Sequence, residues 1–286
     1  MELLIDGKKV SQDIIEEIRS ESETLGIKPG LVVVLVGEDP ASAVYVRNKE
    51  RACEKAGFYH KTYRLPSNTT QDQLLAVIKD IDRDCNVHGL IVQLPLPKHI
   101  NEELIINSIP EGKDVDCFHP SNVGRLMTKK KGDSPLLVAP CTPAGILELL
   151  DRYKITISGK NVAIVGRSNI VGKPMALMML NRDATVTICH SKTKDLSSVL
   201  KQADIVIAAV GVARLIKADM LKTGCTVIDV GMNRLDTGEL VGDVDFEGVK
   251  NNVSAITPVP GGVGPMTIAM LLKNTLMMAK RQKSCE

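Results

Sequence analysis

The sequence predicts an α/β protein of two domains, each a parallel sheet flanked by helices, the C-terminal one Rossmann-like. Three observations carry this reading. Apolar, largely β-branched runs such as Leu31–Val36, Gly89–Gln93 and Val162–Val165 lack the alternation of a half-exposed strand and suit strands covered on both faces. Segments with helical periodicity separate them, and strand–helix alternation is the signature of right-handed parallel α/β structure. The chain has 286 residues, enough for one large or two ordinary domains. Its 44% apolar and 24% charged residues are what a soluble protein with a full-sized core carries.

In chain order, Val10, Ile14, Ile15, Ile18 and Leu25 predict an amphipathic helix over 10–25, with Ser11 as a candidate cap. Leu31–Val36 is a strand ended by Gly37, and Pro40 opens a helix over 41–56 that stops at Gly57. A strand over 58–65 follows, then a helix over 70–84, the strand 89–93 and a short helix over 101–108. The stretches 114–120 and 129–135 read as irregular. Pro140-Cys141-Thr142-Pro143 punctuates the chain before a helix over 144–153, and the domain change is placed there. Residues 1–140 form the first domain and 141–265 the second, with the last helix, about 266–286, returning to the first. The second series runs strand 162–165, helix 173–181, strand 185–189, helix 196–202, then strands 205–210, 227–230 and near 253–257.

Composition excludes several classes. Net charge is +2, which makes no electrostatic case for nucleic acid or an anionic membrane. The one basic cluster, Lys129-Lys130-Lys131, reads as a solvated loop. Seven cysteines stand singly, without a Cys-x-x-Cys pair, an arrangement of free thiols in a reducing compartment and neither a disulfide frame nor a zinc site. The five histidines are equally dispersed, so no metal is expected. The N-terminus lacks the apolar core of a signal peptide. The uncharged stretch 251–272 is broken by Pro258, Pro260 and Pro265 and is not a spanning helix. The expectation is a cytoplasmic, soluble protein.

Chemistry concentrates at strand ends. Asn161–Pro174 reads as strand, turn and helix N-terminus, an arrangement that can hold a phosphate. Its spacing is Gly166-x-x-x-x-x-Gly172, not Gly-x-Gly-x-x-Gly, so an ordinary strand-to-helix turn stays open beside a dinucleotide site. A dinucleotide site usually has an acid about 20 residues on for the ribose 2′-hydroxyl. Here Cys189, His190, Ser191 and Lys192 stand there instead, with Arg167 in reach. Donors and cations without a carboxylate suit a 2′-phosphate and favour NADP over NAD, although Ser191 and Lys192 also fit a plain polar turn. Asp204 and Asp229 flank strands and read as turn or capping residues. In the first half, Tyr45 and Lys49 stand four apart on a predicted helix and share a face. The Tyr-x-x-x-Lys of short-chain dehydrogenases does not fit, because here the pair precedes the nucleotide strands. Gln93 closes a strand and Asp116 sits in an irregular Asp-Val-Asp. A polar residue at a parallel-strand end points into the crevice, where charge matters most.

Tyr45-Val-Arg-Asn-Lys49, Val92-Gln-Leu-Pro-Leu-Pro97, Lys113-Asp-Val-Asp116, Pro140-Cys-Thr-Pro143, Gly166-Arg-Ser-x-x-Val-Gly172 and Pro258-Val-Pro-Gly-Gly-Val-Gly-Pro-Met-Thr267 occur in this order. Together they resemble the bacterial-type bifunctional methylenetetrahydrofolate dehydrogenase/methenyltetrahydrofolate cyclohydrolases, over essentially the whole chain and without a synthetase extension. One departure is visible: Asp116-Cys117-Phe118 stands where that family usually has Asp-Gly-Phe.

The resemblance implies two reactions in a cleft between the domains. NADP-dependent oxidation of 5,10-methylenetetrahydrofolate gives the methenyl form, and hydrolysis then gives 10-formyltetrahydrofolate. It implies Lys49 as base or proton shuttle, Gln93 positioning it, and Tyr45 stacking on the aminobenzoyl ring. Asp116 is implied to hold the pterin, and Pro260-Gly261-Gly262 to let backbone approach the folate or nicotinamide. The cofactor set is Gly166, Arg167, Ser168, Val171, Gly172 and Ser191, and the protein is expected to be a homodimer. Two readings of other classes stand beside this one. A shikimate- or amino-acid-type NADP dehydrogenase would not need Gln93 and Asp116 together with Lys49. A non-catalytic NADP-binding sensor would turn over neither folate.

Overall fold

The computed structural model describes residues 3–129 and 138–283. The chain divides into two compact units. Of the described residues, one comprises 12–125, 138–141 and 268–283; the other comprises 3–11, 126–129 and 142–267. The expected domains were 1–140, with a last helix of about 266–286 returning to it, and 141–265; here residues 3–11 group with the later strands. Of the basic run Lys129–Lys131 and the irregular stretch 129–135, all but Lys129 falls outside the described residues.

The first unit has a three-stranded parallel sheet. β2 (Gly30–Val36) lies between β3 (Tyr59–Leu65) and β4 (Gly89–Val92). Every residue of β2 is buried, as an uninterrupted Leu-Val-Val-Val-Leu-Val run requires of a central strand. α2 (Pro40–Lys55) follows β2, with Pro40 in its first turn and the Asp39 carboxylate accepting from Ser42 N. α3 (Gln71–Asp82) opens with a full capping box between Thr70 and Gln73. It packs Leu74, Ile78 and Ile81 against Val32, Val34 and Leu90. α4 (Glu102–Ser108) is capped by Asn101. α5 (Pro120–Thr128) begins in this unit and was not expected: Pro120, Asn122 and Gly124 hide its periodicity.

The second unit holds a six-stranded, all-parallel sheet. Its order is β1 (Leu3–Leu4), β11 (Ala255–Ile256), β8 (Thr226–Asp229), β7 (Ile205–Ala208), β5 (Asn161–Val165) and β6 (Thr185–Cys189). From β5 the chain goes outward to β6, then returns to the other side of β5 as β7. That reversal is the topological switch point of a doubly wound sheet. β1 is a partner no periodicity announced, because two residues are too few to show one. A short antiparallel pair, β9 (Asn233–Arg234) and β10 (Leu240–Val241), lies outside the sheet. α6 (Cys141–Arg152) and α7 (Gly172–Leu180) complete the unit's larger helices, and Val165, Val206, Val227 and Ile256 form its core with Leu200 and Val249. α10 (Val263–Lys283) enters the first unit from Ile268 on. No described helix is long and apolar enough to cross a membrane.

Candidate functional site

In the first unit, β2 carries β3 on one side and β4 on the other, so ligands are expected at the carboxyl ends of β2 and β4. Gln93 is the first residue beyond β4, and α2 brings Lys49 to it. Lys49 Nζ donates to Gln93 Oε1 at 3.1 Å, and Gln93 Nε2 donates to Leu94 O at 2.7 Å. The second bond fixes which end of the amide faces the ammonium. Tyr45, one turn before Lys49, is 43% exposed, placing its ring on the outside of α2.

Asp116 belongs to the same set. Burial pushes its carboxyl up from the ordinary range, the Lys49 charge pulls it back, and Asp114 adds repulsion. The neighbouring acid of Asp-Val-Asp has a different job. Asp114, 1% exposed, accepts from Phe118 N, His119 N and Asn122 Nδ2 and so folds the turn after Asp116. Lys113 is also architectural: Nζ donates to the carbonyls of Ile81, Asp82 and Asp84, closing the C-terminal end of α3, and burial lowers its pKa.

Two polar residues of this region went unnoticed in the sequence. Asn274 on α10 donates through Nδ2 to Val115 O and Ala139 O, both at 2.8 Å. Cys141 Sγ donates to Val115 O at 3.3 Å, its thiol pushed well up by burial and by Asp116. The peptide preceding Asp116 is thus held from two sides. A polar Asn inside an apolar helix was the only signal. Cys117 adopts φ 59°, the left-handed region that glycine occupies at no steric cost, and its thiol is buried and pushed up to about 12.

In the second unit, the Gly166–Gly172 turn closes tightly on itself. Gly166 has φ 130°, and a Cβ there would lie 2.2 Å from Ala209 O; one on Gly172 would lie 2.3 Å from Gly166 O. The helix end is less open to an anion than its outline suggests. Ser168 Oγ accepts from Val171 N and Gly172 N, and Ser168 O accepts from Lys173 N. Pro174 has no N–H. Those amides are spent within the loop, so Ser168 organises the turn and an anion is left to the exposed Arg167 and the loop tip. β5 and β6 pair Val165 with Cys189, so Arg167 and Ser191 stand two residues beyond adjacent strand ends, both exposed. His190 Nδ1 accepts from Lys192 N and Thr193 Oγ1 from His190 N, a tight polar turn. The first acid after β6, Asp195, is occupied in capping α8 (Leu196–Leu200). The donor set still fits a phosphorylated ribose: a guanidinium and a hydroxyl, with the first acid after β6 engaged in its cap.

Pro260-Gly261-Gly262 forms a tight turn ahead of α10. Gly261 needs glycine for its φ of 106°, and a Cβ there would meet open space. At Gly262 the close approach is to Pro258 O and Thr257 of its own turn. Lys8 N donates to Gly261 O at 2.8 Å, tying this turn to the start of α1 (Gly7–Leu25). Asp204, as expected of a structural acid, accepts from Asn161 N and Lys222 Nζ. Among the described residues no three His, Cys, Asp or Glu side chains gather as a metal ion would require.

Comparison with known proteins agrees with both halves. Residues 5–116 match the tetrahydrofolate dehydrogenase/cyclohydrolase catalytic domain, and residues 140–283 match the NAD(P)-binding domain of the same family. The bifunctional protein FolD of Moorella thermoacetica is 54% identical over 281 residues, 97% of this chain and 99% of the relative. The crystal structure of the bifunctional FolD methylenetetrahydrofolate dehydrogenase/cyclohydrolase from Campylobacter jejuni superposes with a TM-score of 0.93 at 52% identity, covering 97% and 98% of the two chains. The Trypanosoma brucei enzyme, complexed with NADP cofactor and an inhibitor, gives 0.93 at 39% identity, with 98% of each chain covered. A shikimate dehydrogenase from Aquifex aeolicus shares only the fold, at 10% identity and a TM-score of 0.51.

Proposed function

Because the chain belongs to the tetrahydrofolate dehydrogenase/cyclohydrolase family, we propose that it performs both reactions of that family, with the residues above in defined roles. It oxidises 5,10-methylenetetrahydrofolate to the 5,10-methenyl form with NADP, then hydrolyses that to 10-formyltetrahydrofolate. The observation that carries the reading is the Lys49–Gln93 hydrogen bond at a strand end, with Asp116 within the electrostatic reach of the same lysine.

NADP, when bound, supplies the hydride acceptor. Oxidation asks the protein for orientation more than for proton transfer, because the substrate nitrogens stabilise the resulting cation. Asp116 accepts from the amino-pyrimidinone edge of the pterin, a charge-assisted pair, and Tyr45 stacks on the aminobenzoyl ring. In the hydrolysis, water adds to the methenyl carbon, the ring C–N bond breaks and one proton leaves. Lys49 carries that proton, and Gln93 holds its Nζ in place without adding charge. Arg167 and Ser191 hold the 2′-phosphate. Ser168, Val171, Gly166 and Gly172 shape the turn that presents Arg167, and Pro260–Gly262 borders the ligands through its backbone.

We also infer a homodimer working in the cytoplasm. Edge strand β3 carries His60, Lys61 and Arg64, charges that discourage pairing. Edge strand β6, Thr-Val-Thr-Ile-Cys, carries none and leaves Thr185, Thr187 and Ile188 exposed, which supports association there. Five of the six described cysteines are buried and all six are free thiols, in keeping with a reducing compartment. Absorbance-monitored turnover of methylenetetrahydrofolate with NADP and with NAD tests the reading. No turnover with either cofactor, and none of methenyltetrahydrofolate, would leave a nucleotide-binding sensor in its place.

A further inference from the structure

Two buried carboxylates sit one behind the other in the second unit, and neither faces a cation in the contacts described. Asp243, 0% exposed, accepts from three consecutive amides: Val210 N at 2.7 Å and Gly211 N at 3.0 Å on Oδ2, and Val212 N at 3.0 Å on Oδ1. Asn233 Nδ2 adds a fourth bond to Oδ1 at 3.0 Å. Behind it, Asp229 at the end of β8 accepts from Asp243 N, Gly231 N and Val244 N at 2.9, 3.0 and 2.9 Å. Both acids require glycine neighbours. A Cβ on Gly231 would lie 2.2 Å from Asp243 Oδ1, and one on Gly242 would lie 1.8 Å from Asp229 Oδ2.

This arrangement is anchored at one place, the chain leaving β7. Three successive N–H groups turned onto one carboxylate fix that backbone as a rigid arch, because each buried amide would otherwise lack a partner. The arch adjoins the switch point between β5 and β7, where a doubly wound sheet binds its ligand. It also abuts the glycine turn directly, since Ala209 O leaves no room for a side chain at Gly166. A carboxyl group buried this deeply costs desolvation, and its return is the shape of residues 209–212.

We propose that Asp243 is a positioning residue for the nucleotide. By holding the amides of Val210, Gly211 and Val212, it sets the wall of the site opposite Arg167, while Asp229 holds Asp243 itself. The proposal rests on the NADP reading above. It touches neither Lys49, Gln93 nor Asp116, so its effect belongs to the cofactor alone.

Asp243→Asn tests it, because the amide keeps the shape and turns an NH2 group toward backbone donors. Fluorescence titration with NADPH should show binding weakened about tenfold or more. The NADP KM should rise by a similar factor, with methylenetetrahydrofolate KM and NADP-free methenyl hydrolysis within about twofold of the unaltered protein. Asn233→Ala, which removes one bond and leaves the carboxylate and arch in place, should weaken NADPH about twofold to fivefold. Unchanged NADPH affinity in a folded Asp243→Asn protein overturns the proposal, as does equal loss of both activities. If Asp243→Asn does not fold, unchanged affinity in Asn233→Ala overturns it. Failure of the unaltered protein to bind NADPH would instead refute the NADP reading.

Discussion

Gln93 presents its amide oxygen, not its nitrogen, to the Lys49 ammonium, because Nε2 is already committed to Leu94 O. Nζ is therefore fixed by one neutral bond and keeps its other hydrogens for water. Lys49→Ala is expected to slow methenyl hydrolysis by about 10²–10⁴-fold, the usual contribution of a placed acid–base group. NADPH binding should not change. Normal hydrolysis by this variant would remove Lys49 from the chemistry.

Arg167 stands exposed beyond β5 and makes no ion pair among the described residues. Arg167→Ala should raise the KM for NADP by about 10- to 100-fold, the equivalent of one charged hydrogen-bonding contact of roughly 1.5–3 kcal/mol. The KM for NAD, which lacks the 2′-phosphate, should move far less. Equal increases for both cofactors would mean that Arg167 meets the shared pyrophosphate instead.

At Cys117 the backbone is left-handed and the side chain buried. A non-glycine residue there costs about 1–2 kcal/mol, and the buried thiol's packing offsets part of that. Cys117→Gly should leave the urea midpoint nearly unchanged, the two effects opposing. Cys117→Val adds β-branching to a positive φ and should cost about 1–3 kcal/mol. A valine variant as stable as the parent would show that the turn relaxes.

The acid behind the arch gives an unusual pH signature. Burial pushes the Asp229 carboxyl up to about 6 against its three backbone donors. An unfolded aspartate titrates near 3.9, so between about 4 and 6 the folded chain holds the extra proton. Asp229 thus contributes more stability as pH falls through 6 and less at neutral pH, opposite to a paired surface carboxylate. Asp229→Asn loses that slope, and its stability deficit should be larger at pH 4.5 than at pH 7.5. Urea denaturation at the two values checks this; an equal or smaller deficit at the lower pH would contradict it.

What the sequence made legible follows from how locally each feature is encoded. Buried strands such as β2 and β5 announce themselves as unbroken β-branched runs, and Pro40 marks the start of α2. Lys49 and Tyr45 are legible because four residues on a helix share a face, and Gln93 because it ends a strand. Asn274 is not legible in the same way: its partners, Val115 O and Ala139 O, are backbone atoms brought to it only by folding. The bonds from Ser168 to the loop's own amides are likewise illegible in advance, although hydroxyl residues often bond backbone near helix starts. Asp114 and Asp116 look alike in sequence, and the donors Phe118 N, His119 N and Asn122 Nδ2, which mark Asp114 as scaffold, are brought to it by folding.

The pairing of Leu3 with Ala255 and Leu4 with Ile256 sets an order of events during synthesis. Leu3 and Leu4 must wait for a strand made about 250 residues later before their edge of the sheet can form. Closing so long a loop is slow and entropically unfavourable until its partner exists. The strands from β2 to β4 can meanwhile fold on their own neighbours, while Leu3 and Leu4 stay unpaired until Ala255 and Ile256 exist.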